Sequence, residues 1–535
     1  MSTQSQSFPG ARQRTFGVEL EIVVPWLWEG EPDPNEELAS QLPPILRLPL
    51  DLKEAYESRI ISENDKVLRS VYDLFTDILG THGIPADIKD IPTISSTDSS
   101  FLSDSMAGVS ILSLDDYNKW GVKRDDTVSG FGGGYKWYGI EIVSSAERAS
   151  TESFHLIRYA LNVLKSSFRI AANPSCGMHV HVGDGSELMP LDHVRRVAGL
   201  FWAADPLLAC IHPPHRRVAY YSQSIRERSN LAKGAKASQK DNNELSLGCC
   251  DVYIGGRVRH GESPISWREE NHRKRHLIGY GETRQRGHFE PFFMKDPNDE
   301  LKVKNAKILP LSSYRIASDE NLGVDIQVEE YATSKNNWDA VPNTPYVSTR
   351  NRETPRYAYP VYNPKEIGST EFSHLEAKAA EDIGIFLGAR EIFTCLTSCT
   401  IEWLLRAGER PNYNLSPYAC YRLENRGSRP GTIEFREAAG TVDGGWAETW
   451  ARICVGLTHF AIHAPVEDYL SVLYHIHRAA SERAPYDVLD LLDDAGLFAE
   501  AAIVEKRLLQ NKEEWGLKFM PNLEDSDFPD TLFSS

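Results

Sequence analysis

Close to its start the chain reads FGVELEIVV, Phe16 to Val24, with Glu19 and Glu21 one residue apart in an otherwise apolar run. Side chains at i and i+2 of a strand leave from one face, so the two carboxylates project together while Val18, Leu20 and Ile22 face the other way. The same arrangement recurs far along the chain. MHVHVG sets His179 and His181 against Met178, Val180 and Val182; TIEFRE sets Glu434 and Arg436 against Ile433 and Phe435; YGIEIV places Glu141 between Ile140 and Ile142. Singly, each pattern fits a half-buried strand with a wet outer face, two hydrogen-bonded histidines or a cross-strand ion pair. Together they call for a sheet with one face covered by helices and one polar face on which these groups converge. Strands of a parallel sheet buried on both faces read as continuous apolar runs, so a doubly wound parallel architecture does not fit.

Helical periodicity supplies the covering layer. A helical pattern runs from Ser58 to about Gly80, and TESFHLIRYALNVLKSSF places Phe154, Ile157, Leu161, Leu164 and Phe168 on one stripe with Glu152 in the first turn. Further helices are expected around DHVRRVAGLFWAADPLLAC, as one element across FSHLEAKAAEDIGIFLGAREIFTCLTSCTIEWLLRAG, and after TIEFREAAG to about Trp515. Residues 1–14 read as a flexible tail and 516–535 as an acidic one, leaving one domain over 15–515. Within it, about 227–349 is polar, locally basic and weakly periodic, and reads as a large insertion.

The chain has 535 residues, 41% of them hydrophobic and 25% charged, the composition of a globular protein with a sizeable core. Its net charge of −18 argues against a nucleic-acid or anionic-membrane partner. There is no apolar run of membrane-spanning length and no apolar secretory signal, and the eight cysteines show no paired framework. A cytoplasmic protein with reduced thiols is expected. Cys395 and Cys399, four apart in an expected helix, do not resemble a zinc motif.

Carboxylates, imidazoles and a guanidinium on one face are the groups that a metal–nucleotide site needs: hard oxygens for Mg²⁺ and a planar cation for phosphate oxygens. HPPHRRVAYYSQSIR adds Arg216, Arg217 and Arg226, which either grip an anionic group or form a solvated basic turn. Asp125 either receives the ammonium of an incoming amine or orders its loop. The GFGGGY run has neither Rossmann nor P-loop spacing and reads as a tight hairpin or a phosphate-covering loop.

FGVELE, CGMHVHVG and TIEFR resemble the motifs of the glutamine synthetase and glutamate–cysteine ligase superfamily, and within it the amidoligase family. WGVKRDDTV followed by YGIEIVSS is similar to that family's W-x-V-x-x-D-x-S element and its G-x-E-x-V-S strand, with Thr127 where serine is usual. REAAGTVDGGWAETW is similar to the segment after the E-F-R strand. The likeness covers roughly Phe16 to Leu457, with the polar insertion outside it.

The resemblance implies an α+β fold: a curved, mostly antiparallel sheet forming a half barrel, with helices packed on its outer face. It implies an ATP-dependent carboxylate–amine ligase that works through an acyl phosphate, with Mg²⁺ or Mn²⁺ as cofactor and a small-molecule acid and amine as substrates. Carried over residue by residue, Glu21 and Glu141 hold one ion, while Glu19, His179 and Glu434 hold the ion nearer the γ-phosphate. Arg436 stabilises the transferring group. His179 is a ligand or a donor to phosphate; His181 contacts the acyl oxygen or positions its neighbour. Arg216 and Arg226 are further candidates for the nucleotide, and Asp125 for the amine. Two rival readings stand beside this one: a metal-dependent hydrolase or oxygenase using the His pair and a glutamate, and a catalytically inactive ligase fold that only binds. The residues do not specify the acid, the amine or the oligomeric state.

Overall fold

The computed structural model describes residues 14–57, 61–89, 118–239, 356–357, 379–418 and 431–518, apart from 126, 132–133, 186–187, 218, 380, 409 and 483. Most of the expected tails and most of the insertion lie outside the described residues.

The opening run becomes β1, Thr15–Trp28. It outlasts Val24 because Trp26 and Trp28 continue the buried alternation, Trp26 stacking on Tyr138 of the neighbouring strand with ring centroids 5.3 Å apart. β1 is the centre of a nine-stranded sheet. The others are β2 (Leu46–Leu48), β3 (Ala86–Ile88), β4 (Trp120–Arg124), β5 (Lys136–Val143), β6 (Glu147–Arg148), β7 (Gly177–Gly183), β8 (Tyr413–Asn414) and β9 (Thr432–Ala439). The order is β3-β4-β5-β1-β7-β9-β8, with β2 and β6 also pairing with β1. All pairs are antiparallel except β1–β2 and β3–β4. Among the described residues the chain is thus a mixed helix-and-strand fold built on a large, mostly antiparallel sheet.

One face of the sheet carries the core. Val18, Leu20 and Ile22 of β1, Ile140 and Ile142 of β5, Met178, Val180 and Val182 of β7, and Ile433 and Phe435 of β9 are all buried in one cluster with the helices. Each such side chain contributes roughly 1.5–3 kcal/mol of burial. The helix Thr151–Ser167 meets them through its stripe, with Phe154 stacked on Phe16 at 4.4 Å. Ser150 caps its start by accepting from the Ser153 N–H, and Asp443 does the same for the helix Gly444–His463, which packs on β7 and on the helices Thr151–Ser167 and Leu191–Leu208. Among the described residues no helix is long and apolar enough to cross a membrane. The five described cysteines are buried thiols.

Two expectations are corrected. The segment from Phe372 is not one helix: its described part forms Ile385–Thr394 and Ser398–Leu405, because Thr397 turns extended and caps the second helix through the Thr400 N–H. Cys395 ends the first helix and Cys399 lies in the second, so they do not share a helical face. Gly388 of the first helix packs on the Trp202 indole so closely that a Cβ would clash. The second correction concerns the start of the insertion. Residues 227–239 belong to the body of the domain: Ser229, Leu231, Ala232 and Ala237 are buried, and the Leu231 N–H bonds the Leu404 carbonyl.

Candidate active site

The face opposite the helices carries a polar row whose members come from six neighbouring strands. Lys123 on β4 is in register with Glu141 on β5, and Glu141 with Glu21 on β1. Glu19 is opposite His179 on β7, His181 opposite Glu434 on β9, and Glu434 opposite Asn414 on β8. Two carboxylates directly opposed, as Glu21 and Glu141 are, repel; Lys123, whose Nζ lies 2.7 Å from Glu141 Oε1, offsets this. Glu21 is further held by the Gly177 N–H, which donates to its Oε2 at 2.5 Å, and by His179 Nε2, 3.5 Å from its Oε1.

At the other end the groups converge. His179 Nδ1 lies 3.1 Å from Glu19 Oε2 and 3.5 Å from Glu434 Oε1, and His181 Nε2 lies 3.2 Å from Glu19 Oε1. Glu434 also pairs with the Arg436 guanidinium and accepts from Asn414 Nδ2 at 2.7 Å. One atom each from Glu19, His181 and Glu434 lie within 4.8 Å of one another, close enough to share a cation. The two carboxylates suit a hard divalent ion, with the His181 imidazole converging on them and His179 between them and Glu21.

The electrostatics match. Burial alone would push the Glu19 carboxyl up, but the charge of His181, hydrogen bonds to both histidines and the Lys123 ammonium hold it well below its ordinary range. Glu434 is likewise buried, and Arg436, His181 and His179 hold it down. Against burial, Glu19 and Glu434 favour the imidazolium of His181, and Glu434 with Glu19 keeps Arg436 charged. Glu141 goes the other way: burial and the Glu19 charge push its carboxyl well up, against the pull of Lys123.

Glu19, Glu21, Glu141, His179, His181, Glu434 and Arg436 are therefore neighbours on one face. Arg216 joins them: it is buried, donates to the Arg436 carbonyl at 2.8 Å, and lies so close over Gly177 that a Cβ there would stand 2.5 Å from its Nη2 and 3.1 Å from His179 Nε2. Arg226 is a correction. Its guanidinium makes a two-pronged pair with Asp382 (3.0 and 2.8 Å) and stacks on Trp202, so it is committed to the helix layer and not to the polar face. Arg217 likewise donates to the carbonyls of Ala209 and Cys210. Asp125 accepts from both the N–H and the hydroxyl of Thr127, at 2.7 and 2.6 Å, which favours the loop-ordering role. Since only a hydroxyl is needed, threonine serves there as serine would. β4 and β5 pair antiparallel, and of the residues between them Gly134 has φ 84° and Gly130 is tight against Trp137.

Sequence reasoning missed Lys123 and Asn414. Lys123 does alternate with the core residue Val122, but it adjoins Arg124 and Asp125 and so reads as a solvated strand end; Asn414 lies on a two-residue strand that carries no periodicity.

No curated protein and no solved structure matches the chain significantly. A family model does. Its span carries Glu19, Glu21, Lys123, Glu141, His179, His181 and Arg216, whereas Glu434 and Arg436 join from beyond its end. The model described as "Putative amidoligase enzyme" matches residues 12–275, so this part of the chain is similar to the amidoligase family, a name that denotes an amide-forming ligase.

Proposed function

We propose that the chain is an ATP- and Mg²⁺-dependent carboxylate–amine ligase, able to use Mn²⁺, that joins a small acid to a small amine through an acyl phosphate. One observation carries this reading: buried carboxylates, two histidines and a fixed arginine from separate strands meet on the polar face of one sheet. A carboxylate substrate is a poor electrophile. Transfer of the γ-phosphoryl group to its oxygen gives a leaving group, and attack by the amine nitrogen then forms the amide as phosphate departs and the nitrogen loses a proton.

Glu19, His181 and Glu434 would hold a divalent ion, with Glu21 and His179 beside them. Such an ion, when bound, neutralises phosphate oxygens during transfer. The chain's own groups do the rest. Arg436, fixed by Glu434 and by its Nε bond to the Tyr221 carbonyl, presents a guanidinium where charge spreads over the transferring group. Arg216 adds a second buried cation near His179. His181, held between Glu19 and Glu434, is placed to contact the acyl oxygen. Asp125, with its loop fixed by Thr127 and its charge felt by Lys123, would meet an incoming ammonium at that end of the row. The glutamine-synthetase-like half barrel belongs to the same reading, the polar face being its concave side.

The hydrolase or oxygenase reading draws less support. The convergent group has two carboxylates and one histidine, the reverse of the two-histidine, one-carboxylate set of non-haem iron oxygenases. The net charge of −18 favours small-molecule partners over nucleic acid or membrane.

The test is release of ADP and phosphate by the purified protein with Mg²⁺, screened against pooled amino acids and small amines, beside Glu434→Gln. Release that depends on a pool and disappears in the variant supports the ligase. No nucleotide binding by either protein would sink the reading.

A further inference from the structure

Carboxylates on the polar face are not equivalent. At the β1–β7–β9 end, atoms of Glu19, His181 and Glu434 converge within 4.8 Å, and this is the one such group among the described residues. At the β4–β5 end, Glu21 and Glu141 face each other in register, an arrangement that invites a second ion, but both are already engaged. The Gly177 N–H donates to Glu21 Oε2, His179 Nε2 lies 3.5 Å from its Oε1, and the Lys123 ammonium lies 2.7 Å from Glu141. Lys123 is no loose surface side chain. β4 pairs it directly with Glu141, its side chain is largely covered, and its charge reaches Glu19 as well.

We propose that Lys123 is a built-in cation in place of a second metal ion: the nucleotide-free protein binds one divalent ion, at Glu19, His181 and Glu434, and Lys123 keeps the Glu21–Glu141 pair from binding another. A dication at that pair would have to displace the ammonium or lie beside it, and like charges a few ångströms apart repel strongly in a buried setting. The countercharge near Glu141 is thus covalently fixed to the fold and independent of metal concentration. This inference rests on the ligase reading, in which the face binds divalent ions at all.

Mn²⁺ is the probe, because bound and free ions are told apart by electron paramagnetic resonance without turnover. Full-length protein, stripped with chelator and free of nucleotide, is titrated with Mn²⁺ alongside Lys123→Met, Lys123→Arg, Glu141→Gln and Glu434→Gln, with circular dichroism melts to show that each is folded. The expected stoichiometry is one ion for the wild type, Lys123→Arg and Glu141→Gln, two for Lys123→Met, and loss of the tight site in Glu434→Gln. Two ions on the wild type would overturn the role of Lys123 and leave the ligase reading standing. One ion on folded Lys123→Met would overturn it too, and so would loss of the single ion in Glu141→Gln, which serves if Lys123→Met does not fold. No ion on any folded variant would instead remove the ligase reading.

Discussion

Both faces of the sheet bury carboxyl groups, and Glu19 and Glu434 on the polar face are treated in the opposite way to Glu437 and Asp205 on the helix side. On the helix side, Glu437 is held by the Tyr413 hydroxyl, 2.8 Å from each of its oxygens, with Asn412 beyond. Asp205 accepts from the Ser224 hydroxyl, the Arg226 N–H and Asn412 Nδ2 at 2.6–2.9 Å. Burial dominates there, pushing Glu437 well up and Asp205 up to about 6. On the polar face, half-buried Glu19 and buried Glu434 are met by several cations, imidazoles with ammonium or guanidinium, and are pulled down, whereas Glu141, paired with Lys123 alone, is pushed up. A buried carboxyl matched with neutral donors settles toward its neutral form and holds structure together; one matched with cations stays charged at a cost in desolvation. A cluster of the second kind, drawn across strands from four distant parts of the chain, is what the proposed ligase calls for.

The strongest way to break this contrast is Arg436→Met. On the ligase reading the guanidinium acts on the transferring group, so substrate-dependent ADP release should fall about 10³-fold while the melting curve shows a folded protein; retention of activity would put Arg436 among the structural residues. Next in size is Tyr413→Phe, which strips the neutral face of the donor to Glu437. Denaturant unfolding should show a loss of about 1–3 kcal/mol for an unsatisfied buried group, and no change would mean that Glu437 has another partner.

The smallest effect sharpens the comparison through pH. Asp205 has a folded value near 6 against an ordinary 3.8, so the folded state holds the proton more tightly. Its contribution to stability is complete below about 4 and is lost as pH rises through about 6. Glu19, held down, has the opposite sign: its contribution is present above its ordinary 4.5 and is lost as pH falls. Asp205→Asn should therefore flatten the decline in unfolding free energy between about pH 4 and 6 by on the order of 1 kcal/mol, and Glu19→Gln should remove part of the loss on the acid side. An Asp205→Asn curve parallel to that of the wild type would show that its carboxyl is not protonated in the fold.

Much of the polar face was legible because strand alternation is a strict rule. Glu19 and Glu21, His179 and His181, Glu434 and Arg436 each declared a face through their apolar neighbours, and Glu141 did so between two isoleucines. What alternation cannot give is adjacency. That β9 lies beside β7, or that Lys123 lands on Glu141, depends on strand order and register. Arg226 looked like an anion-binding residue because its partner, Asp382, is 156 residues away. The break at Cys395–Thr397 was hidden by continuous helical hydrophobicity, although the Thr397 cap is a local signal. Residues 227–239 read as polar insertion because their few buried side chains, Leu231 and Ala237 among them, are spaced by a turn and not by a helix.

The most direct test of the central claim follows oxygen. Pooled amino acids labelled with ¹⁸O in their carboxyl groups are incubated with ATP, Mg²⁺, pooled amines and the protein, and the released phosphate is weighed by mass spectrometry. The ligase account predicts phosphate carrying one ¹⁸O with the wild type and none with Glu434→Gln. Substrate-dependent phosphate containing only unlabelled oxygen would contradict it, because the phosphoryl group would then have gone to water and never to the acid.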